Sequence, residues 1–203
     1  YTPMDSAAAI PYDGTLGPPL LDHAILYGQW GGTTPGAGPE VSWTMYARQG
    51  MSLFCEPTTV DASGDGRFLV RLWRRLTVPD TNLYAQYSED GGVTWSDIRQ
   101  TDLPNSPSTA YAARLPDGRI AVVGNMNQSR DPLYLGVFDK DYRVRQDLYY
   151  VRQGVPTSPT YAGSYKGGGA SYASLWVGED DLRVSYSIAK ETIGVTRIPL
   201  SGL

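Results

Sequence analysis

The lone histidine and the lone cysteine limit the chemistry open to this chain. His23 is the only histidine and Cys55 the only cysteine among the 203 residues. A Ser-His-Asp or Cys-His mechanism would have to use His23, which lies in an apolar stretch and is interpreted as a structural residue. A single cysteine allows no intrachain disulfide and excludes a metal site built from a cysteine cluster. No compact set of metal ligands is evident, so the sequence predicts neither a metal nor a cofactor.

The charge balance restricts the binding partners. The formal net charge is −4, which argues against a general nucleic-acid binder because such proteins carry a basic surface. A few local arginines could still hold a small anion, since a guanidinium pairs bidentately with a carboxylate. No apolar run is long enough to span a membrane, and no segment resembles a signal peptide. The short Ala-rich stretch at residues 4–10 is expected to form a turn of helix or coil.

The most informative motif is the octet at residues 88–95, which reads Ser-Glu-Asp-Gly-Gly-Val-Thr-Trp. Its aspartate can accept hydrogen bonds from nearby backbone N–H groups, its glycines permit positive φ, and its Thr-Trp pair returns the chain to a strand. The octet therefore predicts a structural turn, in which Asp90 is structural rather than catalytic. The defining positions are Ser88, Asp90, Gly92, Thr94 and Trp95.

The rest of the chain is typical of a β protein. It contains 23 Gly, 15 Pro and 15 Tyr, and its short apolar runs are separated by turn residues. No window keeps a helical period. The predicted strands cover residues 24–27, 42–46, 57–60, 67–73, 83–87, 110–115, 119–124, 133–138, 170–177, 182–188 and 193–198.

These strands fall into four segments of similar length, at residues 1–48, 49–97, 98–147 and 148–203. A repeat of about 45–50 residues is the scale of a four-stranded propeller blade. Asp65-Gly66 and Asp117-Gly118, each followed by arginine and an apolar strand, recur 52 positions apart and predict hairpins at equivalent places. The sequence thus predicts an all-β, propeller-type single domain over residues 1–203, with about four blades.

An ordered set of further motifs accompanies the octet. They are Glu56-Pro57 before a strand, Arg-Leu-Trp-Arg-Arg at 71–75, Arg-Leu-Pro-Asp-Gly-Arg at 114–119, Asn125 followed by Ser-Arg-Asp-Pro-Leu at 129–133, and Gly-Ala-Ser-Tyr-Ala at 169–173. Over roughly residues 50–200 this order resembles the sialidase-like β-propellers of the bacterial neuraminidase repeat family, in which the octet is the Asp-box. The resemblance implies the C-terminal two-thirds of a propeller of about six blades, so that either the chain is a partial propeller, incomplete at its N-terminus, or some blades are absent. It also implies a secreted or extracytoplasmic location.

The resemblance also implies catalytic roles. Sialidases use a tyrosine nucleophile, because a carboxylate would be repelled by the charge of an acidic sugar. A phenol is a weak nucleophile near neutral pH and needs a carboxylate to take its proton. By resemblance, Tyr172 stands at the nucleophile, Glu56 at the activating glutamate, and Arg130 at an arginine that binds the substrate carboxylate.

A second carboxylate-binding arginine is ambiguous among three candidates. Strand alternation places Arg71 and Arg75 on one face and Arg74 on the other, unless a bulge intervenes. Arg71 is favoured, with Arg74 as the second choice.

The acid/base aspartate and the first-blade arginine of the family have no recognisable match here. Candidates are Asp5, Asp13, Asp22 and Arg48, with Asp13 or Asp22 as the acid/base. Ala173 also departs from the proline that many relatives carry after the late tyrosine.

Structural interpretations stand beside each of these roles. Glu56 could be a surface carboxylate at a strand start, Arg130 a solvated loop arginine, and Tyr172 a packing residue. Lys190-Glu191 is interpreted as a structural charged pair. The glycines at 167–169 are interpreted as a flexible approach to the late tyrosine or as a loop tip, because no Lys-Ser/Thr pair follows them.

Three functions are consistent with these features. The first is a retaining glycoside hydrolase of the sialidase type, which releases a terminal acidic sugar from a sialoglycoconjugate. The second is a non-catalytic, carbohydrate-binding propeller. The third is a propeller polysaccharide lyase with a base such as His23 or a tyrosine near an arginine. Open sheet edges would also allow self-association.

Overall fold

The computed structural model describes residues 4–5, 22–30, 41–50, 54–75, 82–106, 108–140, 145–163 and 166–203. Within these ranges the chain consists of β-strands and connections, apart from one 3-10 turn at Leu200–Gly202. The predicted all-β fold is confirmed. None of the described segments forms a helix with the length and apolar character needed to cross a membrane. The chain divides into two compact units, Tyr1–Cys55 and Glu56–Leu203.

The first unit contains one antiparallel sheet in the order β1-β2-β3. Its strands are Met4–Asp5 (β1), Asp22–Trp30 (β2) and Val41–Gly50 (β3). The expectation of helix or coil at residues 4–10 is wrong for β1, because the backbone of Met4 pairs with Ala24 and that of Asp5 with His23. Residues 6–10 lie outside the described ranges.

The second unit contains three antiparallel sheets. The second sheet consists of Phe54–Asp61 (β4), Leu69–Arg75 (β5), Asn82–Ser88 (β6) and Arg99–Pro104 (β7). The third consists of Tyr111–Arg114 (β8), Ile120–Asn125 (β9), Leu133–Phe138 (β10) and Arg145–Arg152 (β11). The fourth consists of Ala170–Val177 (β12), Asp181–Ile188 (β13) and Thr192–Pro199 (β14).

The strands β7 and β11 were not predicted from the sequence. Each lies at the edge of its sheet, and β7 has a single buried residue, Leu103. An edge strand with so few buried positions shows no apolar alternation, so periodicity cannot detect it. Because β7 and β11 belong to the second and third sheets, these sheets end several residues beyond the predicted segments 49–97 and 98–147.

The third sheet is covered on both faces, which explains the uninterrupted apolar runs of β9 and β10. Every residue of these two strands is buried. From β9, Ile120 and Val122 pack against the second sheet, whereas Ala121 and Val123 pack against the fourth. Successive side chains of a strand point to opposite faces, so one strand serves two cores. Each fully buried Ile, Val or Leu stabilises the fold by about 1.5–3 kcal/mol.

The octet forms a turn that begins at the end of β6. The Thr94 backbone N–H donates to Asp90 Oδ1 at 2.9 Å, and the Thr94 hydroxyl donates to Oδ2 at 2.6 Å. The Ser88 hydroxyl donates to Asp90 Oδ1 and accepts the Gly92 N–H, both at 2.8 Å. The Trp95 indole N–H donates to the Gly92 carbonyl at 2.9 Å. Gly92 has a φ of 95°, a conformation that glycine adopts without steric cost.

The hydrogen bonds of this turn stabilise the ionised form of Asp90. The Thr94 hydroxyl, the Thr94 N–H and the Ser88 hydroxyl lower the pKa of Asp90 from 3.8 to about 2. A carboxyl group whose pKa is lower in the folded than in the unfolded protein stabilises the fold at pH values above its unfolded pKa. This stabilisation is lost as the pH falls through the folded pKa.

We therefore expect the gap in Tm between the wild type and Asp90→Asn to narrow as the pH falls from about 4 to about 2. Thermal unfolding monitored by circular dichroism at each pH measures this gap. Glu89→Gln, at the exposed neighbouring carboxylate, is the matched control and should show no such narrowing. A gap for Asp90→Asn that is independent of pH would contradict the structural role of its carboxylate.

Candidate functional site

A polar pocket in the second unit brings together most of the predicted site residues. Its volume is about 530 Å³, within the range of small-molecule sites. The charged and phenolic groups that line it are Glu56 from β4, Arg74 from β5, Arg130 from the β9–β10 loop, Lys166 from the β11–β12 loop, Tyr172 from β12, and Lys190 from the β13–β14 turn. The remaining lining residues are Gln128, Ser129, Thr157, Gly167 and Gly168.

The Glu56 carboxylate is held by two donors. Arg74 Nη1 forms an ion pair with Glu56 Oε2, and the Thr109 hydroxyl donates to the same oxygen. Among the described residues, no donor reaches Oε1. The Glu56 side chain is 37% exposed and the Arg74 side chain 15% exposed, so the pair lies at the pocket wall with one carboxylate oxygen available to a ligand. Thr109 was not found from the sequence, because it belongs to a different sheet connection and no motif marks it.

Of the three candidate arginines, Arg74, the second choice, lines the pocket, and Arg71, the favoured one, does not. The Arg71 side chain is buried at 1% exposure. Its Nε donates to the Thr59 hydroxyl at 3.2 Å, and its guanidinium carbon lies 3.6 Å from the centroid of the Trp95 ring. This cation–π contact fixes Arg71 beneath the octet. Arg75, the third candidate, donates to the Tyr84 hydroxyl at 2.8 Å.

Strand alternation had separated the two faces of β5 correctly. Arg74 lies on the face of Val70 and Leu72, which pack into the core between the second and third sheets. Beyond the end of this core the same face reaches the pocket, and there Arg74 meets Glu56. The face of Arg71 is instead covered by Trp95. Alternation alone could not decide which face reaches the pocket, because that depends on the neighbouring sheet.

Two cations flank the Tyr172 ring. The Arg130 guanidinium carbon lies 5.7 Å from the ring centroid and the Lys190 Nζ lies 5.3 Å from it. Both distances are within the range of cation–π attraction. Tyr172 is 48% exposed, so its phenol is accessible to a ligand. Lys190, interpreted from the sequence as part of a structural pair, lines the pocket.

Unusual backbone conformations are concentrated at this pocket. Among the described non-glycine residues, five have positive φ: Glu56 (47°), Arg130 (59°), Tyr172 (52°), Ala189 (50°) and Lys190 (55°). Four of them line the pocket, and the fifth adjoins Lys190. Such conformations cost about 1–3 kcal/mol each and persist where the surrounding structure enforces them. Their clustering is typical of a functional site.

The buried amide of Asn125 joins three segments that supply the pocket. Its Nδ2 donates to the Ala170 carbonyl at 2.7 Å and to the Arg130 carbonyl at 3.2 Å. Its Oδ1 accepts the Ser108 hydroxyl at 2.7 Å. Asn125 is 1% exposed, so water cannot replace these partners. The amide therefore sets the positions of Thr109, Arg130 and β12 relative to one another.

The glycines at 167–169 do more than form a flexible approach. Gly169 has a φ of 80°, and a Cβ at this position would lie 2.2 Å from the Ser129 carbonyl oxygen. A Cβ at Gly168 would lie 1.9 Å from the Thr157 backbone. Two of the three glycines are thus required by close backbone contacts. The interpretation of this run as a loop tip is corrected by these contacts.

Glu191 holds the loop between β11 and β12, which supplies Lys166 and Gly167 to the pocket lining. Its carboxylate accepts the backbone N–H of Tyr161 at 2.6 Å and of Thr160 at 3.0 Å, and the Lys166 Nζ at 2.9 Å. The Tyr161 N–H and then the Lys166 ammonium lower the pKa of Glu191 to about 2. Of the Lys190-Glu191 pair, Lys190 therefore lines the pocket, whereas Glu191 holds the loop that forms part of its wall.

The remaining sequence candidates are not located by the structure. Asp13 lies outside the described residues, as do the side chains of Asp5, Asp22, His23 and Arg48.

Comparison with known proteins places the fold in a recognised group. The family model described as "BNR repeat-like domain" matches residues 2–184. No curated protein sequence matches the chain.

Solved structures resemble the chain over most of its length. A structure described as a sialidase is 27% identical, has a TM-score of 0.55, and is matched over 71% of this chain and 13% of its own. The intramolecular trans-sialidase from Ruminococcus gnavus, in complex with oseltamivir carboxylate, is 15% identical with a TM-score of 0.60 over 89% of this chain and 38% of its own. A mutant of the NanB sialidase from Streptococcus pneumoniae is 16% identical with a TM-score of 0.54 over 89% of this chain and 28% of its own.

These likenesses confirm the predicted sialidase-like β-propeller fold. The chain spans between 13% and 38% of the length of these structures.

Removal of the Asn125 side chain should destabilise the second unit. Asn125→Ala removes the amide partner of the Ser108 hydroxyl and of the Ala170 carbonyl and one of two hydrogen bonds to the Arg130 carbonyl, and we expect a loss of at least about 2 kcal/mol in the free energy of unfolding. Asn82→Ala removes a single part-buried hydrogen bond, to the Thr101 carbonyl at 2.8 Å, and should cost about 1 kcal/mol or less. Urea denaturation of both variants measures the difference. Equal losses would contradict the linking role of Asn125.

Proposed function

The chain belongs to the BNR repeat-like domain family, and from that premise we propose that it is a glycoside hydrolase of the sialidase type. In this proposal it releases a terminal acidic sugar from a glycan with retention of configuration. One observation carries the proposal: a single pocket gathers Tyr172, Glu56, Arg74 and Arg130 from four separate segments of the chain. The octet is then an Asp-box with a structural role, since none of its residues lines the pocket.

Arg74 and Arg130 bind the carboxylate of the sugar. Guanidinium groups stay charged and offer paired donors that match the two oxygens of a carboxylate. Apart from its charged and phenolic groups, the lining consists of amide, hydroxyl and glycine residues, which suits a hydroxylated sugar ring rather than an apolar ligand.

Tyr172 and Glu56 carry the covalent step. The Tyr172 hydroxyl oxygen attacks the anomeric carbon, the bond from that carbon to the leaving oxygen breaks, and the phenolic proton passes to Glu56 Oε1. The leaving oxygen takes a proton from an acid, for which Asp13 and Asp22 remain the candidates. Water then attacks the anomeric carbon and gives its proton to the conjugate base of that acid. The bond between the tyrosine oxygen and the sugar breaks, and Glu56 returns its proton to the phenolate.

A carbohydrate-binding function without hydrolysis is the second candidate. Among the described residues that line the pocket, Glu56 is the sole carboxylate, and it is paired with Arg74. A pocket that lacks an acid for the leaving group would bind an acidic sugar without cleaving it. The lyase hypothesis requires a base such as His23 or a tyrosine near an arginine. The His23 side chain lies outside the described residues, whereas Tyr172 lies near Arg130 in the pocket.

Replacement of the nucleophile separates the first two candidates. We expect Tyr172→Phe to reduce kcat for a fluorogenic sialoside by at least about a thousandfold, because the covalent step loses its attacking oxygen. Tyr150→Phe alters a similarly exposed tyrosine, 64% exposed, outside the pocket and should keep wild-type turnover. Equal turnover by Tyr172→Phe would remove this residue from the mechanism. Glycan binding by the wild type without turnover would favour the binding function.

The two arginines of β5 should differ in their effect on substrate binding. Arg74→Met should raise KM for the sialoside about tenfold or more, because it removes a charge-assisted hydrogen bond to the substrate. Arg71→Met should lower Tm, because it removes the guanidinium packed against Trp95, and should leave KM near the wild-type value. Steady-state kinetics and thermal unfolding of both variants test the assignment. A rise in KM for Arg71→Met alone would reverse it.

A further inference from the structure

The pocket carries more positive charge than one carboxylate requires. Four of its lining side chains are cationic, Arg74, Arg130, Lys166 and Lys190, and one is acidic, Glu56. This surplus stands in a chain whose net charge is −4. A guanidinium can engage both oxygens of a carboxylate, so the two arginines suffice for the acidic group of one sugar. The two lysines have no role in the mechanism proposed above.

Lys190 occupies a backbone position that glycine would adopt more easily. Ala189 and Lys190 are consecutive left-handed residues, with φ of 50° and 55°, and such conformations are unfavourable for residues with a Cβ. The Ala189 N–H donates to the Gly169 carbonyl at 2.9 Å, which ties the turn to the approach of β12. The strained turn thus holds the Lys190 ammonium beside Tyr172, 5.3 Å from the ring centroid.

Lys166, which also lines the pocket, is held by the residue after Lys190. Glu191 Oε1 accepts the Lys166 Nζ at 2.9 Å, and its carboxylate also accepts two backbone N–H groups of the β11–β12 loop. The Lys166 side chain is 20% exposed, so it is partly withdrawn from solvent. Glu191 therefore links the positions of both lysines.

The Lys190 charge is also close to the Arg130 charge. Both lie over the Tyr172 ring, at 5.3 Å and 5.7 Å from its centroid, so they are no more than about 11 Å apart. This upper limit is of the order of the Debye length, which is about 8 Å at physiological salt. An anion bound at Lys190 would reduce the repulsion between the two cations.

We propose that Lys166 and Lys190 form a second anion subsite, and that the substrate is a glycan with two anionic groups. The arginines bind the carboxylate of the terminal sugar, and the lysines bind a further carboxylate or sulfate on the same glycan. Lysine suits this task because its ammonium is a point charge that accepts anions of different shape. The inference rests on the proposed function for the first of the two groups.

The test compares three substrates with the same terminal acidic sugar: one with a neutral aglycone, one with a second acidic sugar, and one with a sulfate on the neighbouring sugar. For the wild type, kcat/KM should be about fivefold or more higher for at least one doubly anionic substrate. The preferred one identifies the second anion. Lys166→Met and Lys190→Met should each reduce the ratio toward one, whereas Lys140→Met, an exposed lysine outside the pocket, should not. The preference should also weaken as the salt concentration rises.

Lys190→Gly provides a readout that a structural role would not produce. Glycine relieves the left-handed conformation, so the Tm of this variant should be unchanged or higher, while the preference for doubly anionic substrates is lost. A lower Tm together with an unchanged preference would assign Lys190 to the fold and would overturn the proposal.

Two other outcomes would overturn it. The wild type could show equal kcat/KM for all three substrates, or the lysine variants could lower kcat/KM equally for all of them, which would make the lysines part of a single carboxylate clamp. The two proposals fail separately. If no substrate is cleaved, calorimetric binding of the doubly anionic glycan that depends on Lys166 and Lys190 would uphold the subsite and reject the hydrolase.

Discussion

The buried amide of Asn125 is the interaction on which the pocket depends. It accepts a hydrogen bond from the residue before Thr109 and donates to the carbonyls of Arg130 and of the residue two positions before Tyr172. A buried polar group must keep its partners, so these three segments cannot shift independently. Thr109 in turn holds Glu56. One side chain that does not line the pocket therefore sets the relative positions of groups that do.

The sheets on either side supply the stability that this arrangement requires. The third sheet is buried on both faces, and its two cores bind it to the second sheet and to the fourth. The left-handed conformations of Glu56, Arg130, Tyr172 and Lys190 are unfavourable locally. They persist because the strands and turns that carry them are held by these cores and by close glycine contacts such as that of Gly169.

The arginines of β5 have two different roles. Arg71 is buried beneath Trp95, where its guanidinium supports the turn that follows β6. Arg74, three residues later, forms an ion pair with Glu56 at the pocket. A protein with a net charge of −4 thus has a locally cationic pocket, and the Glu191 carboxylate orients one of its cations, Lys166.

The sequence by itself determined the elements with strong local signals. Strands β9, β10, β12 and β13 follow from apolar runs or alternation, and the turn at the octet follows from its glycines and Asp90, because these preferences act within a few residues. Polar edge strands such as β7 could not be predicted from the sequence, because few of their side chains are buried. Only the tertiary structure decided whether Arg71 or Arg74 reaches the pocket, that Lys190 lines it, and that Asn125 links the segments that form it. Alternation separates the two faces of a strand, but the neighbouring sheet determines which face is covered and which is open to a ligand.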